Sequence, residues 1–159
     1  MSKGVIGKVE ARGGIEPPYA VFLTLALILF CLPAVVYGEV DLSLIAQIES
    51  SNRPAAIGDG GKALGLYQLH QGVVGDYNRT HNTQYLHQDA LRRDIATKVA
   101  DWYLNREIPR LLKHFKLPVT TQNILAAYNA GIGNVRQGRI PHNYIAKYNK
   151  LAKEMNYGS

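Results

Sequence analysis

Apolar residues recur at helical spacing in several segments of this chain, with polar positions on the opposite face. In DLSLIAQIES, Leu42, Ile45 and Ala46 form one stripe, and Glu49 falls on the same stripe, seven residues after Leu42 and four after Ile45. A long helix is predicted from Asp89 as N-cap, with Leu91, Ile95, Val99, Trp102 and Tyr103 apolar and Arg92, Arg93, Lys98 and Asp101 facing away. Pro109 is expected to end or kink it. After the Leu117-Pro118 breaker, Thr121 is placed to cap a helix carrying Ile124, Leu125, Ala127 and Tyr128, which Gly131 ends. A last helix is predicted from about Asn143 to Met155, with Ile145, Tyr148, Ala152 and Met155 on one face. No segment alternates with the period of a strand. The pattern predicts a mainly α, compact domain, with a small β-hairpin in the Gly-rich stretch Ile57 to Leu66 after the first helix.

One segment has no polar face at all. From Tyr19 to Gly38 the chain carries no charge, and Lys3, Lys8 and Arg12 precede it. Basic lead, apolar helix, Pro33 and then small residues are the layout of an export signal, with cleavage after Gly38. The run is also long enough to span a bilayer. Residues 1–38 are therefore expected to be a signal peptide or an N-terminal membrane anchor attached through 19–38, and residues 39–159 the functional domain. Either way the domain is expected outside the cytoplasm. Cys31, the single cysteine, lies within the run, so no intramolecular disulfide forms and the domain holds together by packing.

Residues 39–159 keep 15 of the 18 Lys and Arg and 10 of the 12 Asp and Glu, a net charge of +5. The basic residues are scattered rather than gathered in an aromatic-interleaved patch, and export argues further against nucleic acid. A polyanionic envelope polymer fits the excess better.

The candidate chemistry starts at Glu49. Glutamate is seldom buried, and a carboxyl group held against apolar side chains has its charged form disfavoured, so it can serve as a proton donor near the working pH. The following stretch contains Gly58, Gly60, Gly61 and Gly65, with Gly72 just beyond. It lacks the GKS or GKT ending of a phosphate loop and follows a helix rather than a strand. The five histidines, His70, His81, His87, His114 and His142, show no metal-ligand spacing, so neither a metal nor a cofactor is expected.

Three short motifs then stand in order: Glu49-Ser50 followed by Pro54 and by Gly65-Leu66-Tyr67-Gln68; Ala127-Tyr128-Asn129-Ala130-Gly131; and Asn143-Tyr144-Ile145. Together they resemble the ES…GLxQ, AYNAG and NYV or NYI signatures of the SLT-type lytic transglycosylases, relatives of goose-type lysozyme. The resemblance covers most of residues 39–159. It departs in the IGDGGKALG loop and in Tyr67, where methionine is common.

The resemblance implies a lysozyme-like fold and a peptidoglycan glycan strand as substrate. It implies that Glu49 is the single catalytic acid and base for cleavage between N-acetylmuramic acid and N-acetylglucosamine, leaving 1,6-anhydro ends. Tyr144 would orient Glu49; Gln68 and Asn129 would hold N-acetyl and hydroxyl groups; Tyr128 and Tyr67 would wall the groove. Ser50 joins this substrate-binding set through the motif, although a serine there also fits a local helix-end hydrogen bond. Asp59 is a candidate second acid, which would turn the enzyme into a hydrolysing muramidase. A non-catalytic wall-binding part of an envelope-spanning secretion apparatus is the third reading. The expected location is the periplasm or cell envelope, or a virion-associated injection apparatus if the source is a phage.

Overall fold

The computed structural model of the chain describes residues 39–157, so the Tyr19–Gly38 run and Cys31 lie outside the described residues. Among the described residues no helix is long and apolar enough to cross a membrane.

The first helix, α1 (Leu42–Ser50), begins where the Asp41 carboxylate accepts from the Ser43 N–H at 2.8 Å and from its hydroxyl at 2.7 Å. It buries Leu44, Ile45 and Ala46. The helix stops because Ser51 (φ 53°) and Asn52 (φ 60°) both turn left-handed, and their N–H groups reach back to the carbonyls of Gln47 and Ala46. Two non-glycine residues in that region cost about 1 kcal/mol or more each, and they hold the turn directly behind Glu49.

The Gly-rich stretch extends the expected hairpin into three short antiparallel strands. These are β1 (Ile57–Gly58), β2 (Ala63–Leu64) and β3 (Leu69–His70), with Gly58 opposite Ala63 and Ala63 opposite His70. A 3-10 turn, Asp59–Gly61, joins the first two. Strands of two residues need packing to persist, and Leu64, Leu66 and Leu69 supply it from within the core. Gly65 has φ +78°, and a Cβ there would lie 1.8 Å from the Ala90 carbonyl oxygen, so the loop can seat against its neighbour only with glycine.

Beyond β3 run α2 (Gln71–His81), a 3-10 turn (His87–Leu91) and α3 (Arg93–Trp102). Asp89 does not cap the long helix. Its carboxylate accepts from the Leu86 N–H at 2.8 Å inside the 3-10 turn, and the α-helix starts only at Arg93. Nor does Pro109 end the helical run. A π-helical turn, Tyr103–Glu107, widens the spiral just before it, and α4 (Ile108–His114) continues with proline in its first turn, where a missing N–H costs least.

The next helix, α5 (Thr121–Ala130), is capped one residue earlier than expected: the Thr120 hydroxyl accepts from the Asn123 N–H at 3.1 Å. Gly131 ends it at φ +83°, leading to α6 (Ile132–Arg136) and then α7 (His142–Tyr157). Ile124, Leu125, Ala126 and Ala127 put α5 in the middle of the core, against α4, α6, α7 and the π-turn, while α1 packs on α3 and α7. Val40 and Asp41 are pinned in turn, their N–H groups donating to Asn105 Oδ1 at 2.9 Å and to the Tyr148 hydroxyl at 3.0 Å. The result places the end of α1, the small sheet and the last turn of α5 around one opening.

Candidate active site

That opening is a cleft of about 520 Å³, within the range of small-molecule sites. Glu49 reaches it from α1, Asp59, Gln68 and His70 from the sheet region, Tyr103 from the π-turn, and Tyr128 and Asn129 from α5. Asn129 also lines a second depression with Pro141, His142, Asn143 and Tyr144, so the surface continues past the cleft as an extended groove.

Glu49 is half-buried, and the Tyr144 hydroxyl donates to its Oε1 at 2.7 Å. Burial among apolar neighbours pushes the Glu49 pKa up from the ordinary carboxylate value. The Tyr144 hydrogen bond and the positive fields of Lys147 and His70 pull the other way without cancelling that effect. Tyr144 is itself driven far up, first by burial and then by the Glu49 charge, so its proton stays in place to be donated. Helix α7 delivers Tyr144 and Lys147 together, three residues apart on one face.

The transglycosylase SLT domain family matches the chain over residues 39–150. The chain belongs to this family. No match is found among curated proteins or among solved structures. The mostly helical architecture with a three-stranded antiparallel sheet is the lysozyme-like fold expected of an SLT domain, and the family's peptidoglycan-directed, lytic-transglycosylase type of function goes with it.

Within this SLT domain, the motif residues divide. Glu49, Asp59, Gln68, Tyr128 and Asn129 meet at the cleft, with Tyr144 behind Glu49. Ser50 and Tyr67 do not reach it. Ser50 is buried, its hydroxyl donating to the Ala46 carbonyl and accepting from the Arg53 N–H, both at 3.1 Å, which makes it a clasp for the helix end. Tyr67 is buried too, with its hydroxyl 3.2 Å from Thr97 Oγ1; its backbone carbonyl accepts from the Tyr128 hydroxyl at 2.5 Å. Both side chains are buried and hydrogen-bonded within the frame, away from the cleft lining.

Gln68 has a double position. It adopts φ 47°, and its Nε2 donates to the carbonyls of Gly65 at 2.9 Å and Ala56 at 3.3 Å, so the amide braces the loop while its edge faces the cleft. Asp59 is exposed at the cleft, φ 47°, with its carboxylate 3.9 Å from His70 Nε2.

Three contributors escape sequence reading. Tyr103 stands at the start of the π-turn and lines the cleft with its ring 6.0 Å from that of Tyr128. His70 and Lys147 act on Glu49 by charge, and only the folded register brings them near. Among the described residues no group of three His, Cys, Asp or Glu side chains is arranged to hold a metal ion. The site therefore offers a half-buried carboxyl group, a second, exposed one, amides for hydrogen bonding and two tyrosine rings along an open groove.

Proposed function

We propose that this SLT domain cleaves the β-1,4 bond between N-acetylmuramic acid and N-acetylglucosamine by non-hydrolytic transglycosylation, with Glu49 as the one acid and base. The observation that carries this reading is the half-buried Glu49, raised in pKa and oriented by Tyr144 within the cleft. Protonated Glu49 delivers its proton to the leaving glycosidic oxygen as the bond breaks. The muramic 2-acetamido carbonyl stabilises the oxocarbenium-like anomeric carbon, as in substrate-assisted glycosidases. Glu49, now a carboxylate, removes the proton from the muramic C6 hydroxyl, whose oxygen bonds to the anomeric carbon and closes the 1,6-anhydro ring. The internal hydroxyl outcompetes water through its effective molarity once the ring is held in a reactive pucker. Asn129 and Gln68 are the amides positioned to hold that sugar, and Tyr128 and Tyr103 present apolar walls to it.

Asp59 favours a second reading, since it brings another carboxylate to the same cleft. In that reading Asp59 positions a water and the product is hydrolysed. Export through residues 1–38 and action in the periplasm or envelope, as part of wall turnover or of a secretion or phage-injection apparatus, complete the proposal.

Mass spectrometry of muropeptides released by the full chain, beside Glu49→Gln, tests it. Products one water lighter than hydrolysed muropeptides, absent with Glu49→Gln, are expected. Hydrolysed products would move the assignment to the Asp59 reading, and release unchanged by Glu49→Gln would overturn both.

A further inference from the structure

A further depression adjoins the cleft on its sheet side. It has a volume of about 420 Å³ and is lined by Gly61, Lys62, His70, Gln71, Gly72 and His87. His70 lines both spaces, so the pocket joins the cleft that holds Glu49. Three of its six lining residues carry a cationic or protonatable nitrogen, and the Asp59 carboxylate meets one of them, His70, with Oδ2 3.9 Å from Nε2.

The sheet fixes this arrangement. Ala63 pairs with His70, and Lys62 ends the 3-10 turn that leads into that strand, so the turn and the third strand line the pocket together. Lys62 enters no ion pair among the described residues and is exposed. His87 is anchored from the other side: its Nε2 lies 2.8 Å from the Leu69 carbonyl, which can only accept, so that nitrogen carries the proton. The glycines keep the space open. A Cβ at Gly61 or Gly72 would meet nothing within 4 Å.

We propose that this pocket binds the free carboxylates of the peptide stem on the sugar strand, with Lys62 as the main cation, His70 as a flanking donor and His87, held by Leu69, as part of the wall. The inference rests on the peptidoglycan-cleaving reading above. A stem leaves its muramic residue sideways from the glycan, and a pocket beside the cleft, rather than in line with it, is where such a branch would lie. Opposite charge on an exposed lysine contributes modestly per contact and is screened by salt. Its worth here is selectivity: strands bearing acidic stems would be preferred over stripped ones.

The test compares stem-bearing strands with the same strands stripped by an amidase, using the full chain, Lys62→Gln, Lys62→Glu and Gly72→Asp. Gly72→Asp puts a carboxylate into the pocket without a clash. Lys113→Gln, a neutralisation outside the pocket, controls for net charge. The readout is the ratio of kcat/KM on stem-bearing to stripped strands. It is expected to fall roughly threefold to fivefold for Lys62→Gln, further for Lys62→Glu, and comparably for Gly72→Asp, with the preference shrinking at high salt. An unchanged ratio in the Lys62 and Gly72 variants, or an equal fall in Lys113→Gln, would overturn the proposal.

A binding arm separates this from the cleavage reading. Glu49→Gln, with and without Lys62→Gln, is titrated with a soluble muropeptide and with the same disaccharide lacking its peptide. A peptide-dependent gain in affinity that Lys62→Gln removes supports the pocket even if the wild type proves to be a binder or a hydrolase. No such gain overturns the pocket even if anhydro products are found.

Discussion

The Tyr144 hydroxyl donates to Glu49 Oε1 at 2.7 Å across 95 residues of chain, joining the last helix to the first at the cleft. The bond acts on Glu49 in two ways. It fixes the direction of the carboxyl group, and by favouring the charged form it moderates a pKa that burial drives upward. One contact thus fixes the orientation and tempers the acidity that burial sets.

Tyr144→Phe separates these effects. A hydrogen bond to a charged group contributes about 1.5–3 kcal/mol, so kcat is expected to fall roughly tenfold or more with little change in KM. In the proposed reaction Glu49 starts protonated, so wild-type activity is expected to be lost as pH rises through its pKa. Removing a contact that lowers the pKa moves that alkaline limb to higher pH. Rate profiles for both proteins, measured on the same strands, check the direction; a limb that stays put or moves down contradicts it.

Glu49 should also weaken the fold it serves. Its folded-state pKa is raised above the ordinary carboxylate value, so the folded state binds the proton more tightly than the unfolded one. The contribution is fully present below about pH 4.5 and is lost as pH rises through the folded pKa. Glu49→Gln removes that loss. At pH 7 the inactive variant is expected to melt roughly 2–4 °C above wild type, with the difference closing below pH 4. Thermal unfolding at the two pH values reads it directly.

The sheet loop yields a sharp contrast among glycines. Gly65→Ala combines φ +78° with a Cβ 1.8 Å from the Ala90 carbonyl oxygen, and backbone cannot step aside as a side chain can. A loss of about 3 kcal/mol or more is expected. Gly72→Ala, inside α2 with open space around the added methyl, is expected to be neutral or to stabilise by up to about 1 kcal/mol. Denaturant melts of the two variants test the pair together.

How much of this was legible in the chain follows the range of the forces involved. The α1 stripe was plain, because Leu42, Ile45, Ala46 and Glu49 report a helical period that needs no knowledge of the partner surface. The Gly131 stop was equally local. The π-turn was not, since nothing in YLNRE announces it, and Tyr103 consequently read as one more residue on a core stripe. Asp89 and Thr121 read as caps on local chemistry, but Asp89 serves the preceding 3-10 turn, with the helix starting at Arg93, and the cap of the later helix is the neighbouring Thr120. The same limit applies to the site. Three motifs marked Glu49, Gln68, Tyr128, Asn129 and Tyr144, and they converge; Ser50 and Tyr67 sit within the same motifs yet face the core, because a motif records which residues occur together and not which way each one points.

Gln68 gives the clearest test of that distinction. Its Nε2 bridges the Gly65 and Ala56 carbonyls from a left-handed backbone, so the residue shapes the loop before any sugar arrives. Gln68→Glu is nearly isosteric but replaces the donor with a carboxylate oxygen facing two carbonyls. Those acceptors lose their partner and gain a repulsive neighbour, which costs about 1–3 kcal/mol. The expected result is a melting point lower by roughly 5–10 °C together with a loss of activity. A residue that only contacted substrate would lose activity at an unchanged melting point, so a melt and an activity measurement on the same preparation decide between the two roles. If the melting point does not move, the brace is not what holds this loop.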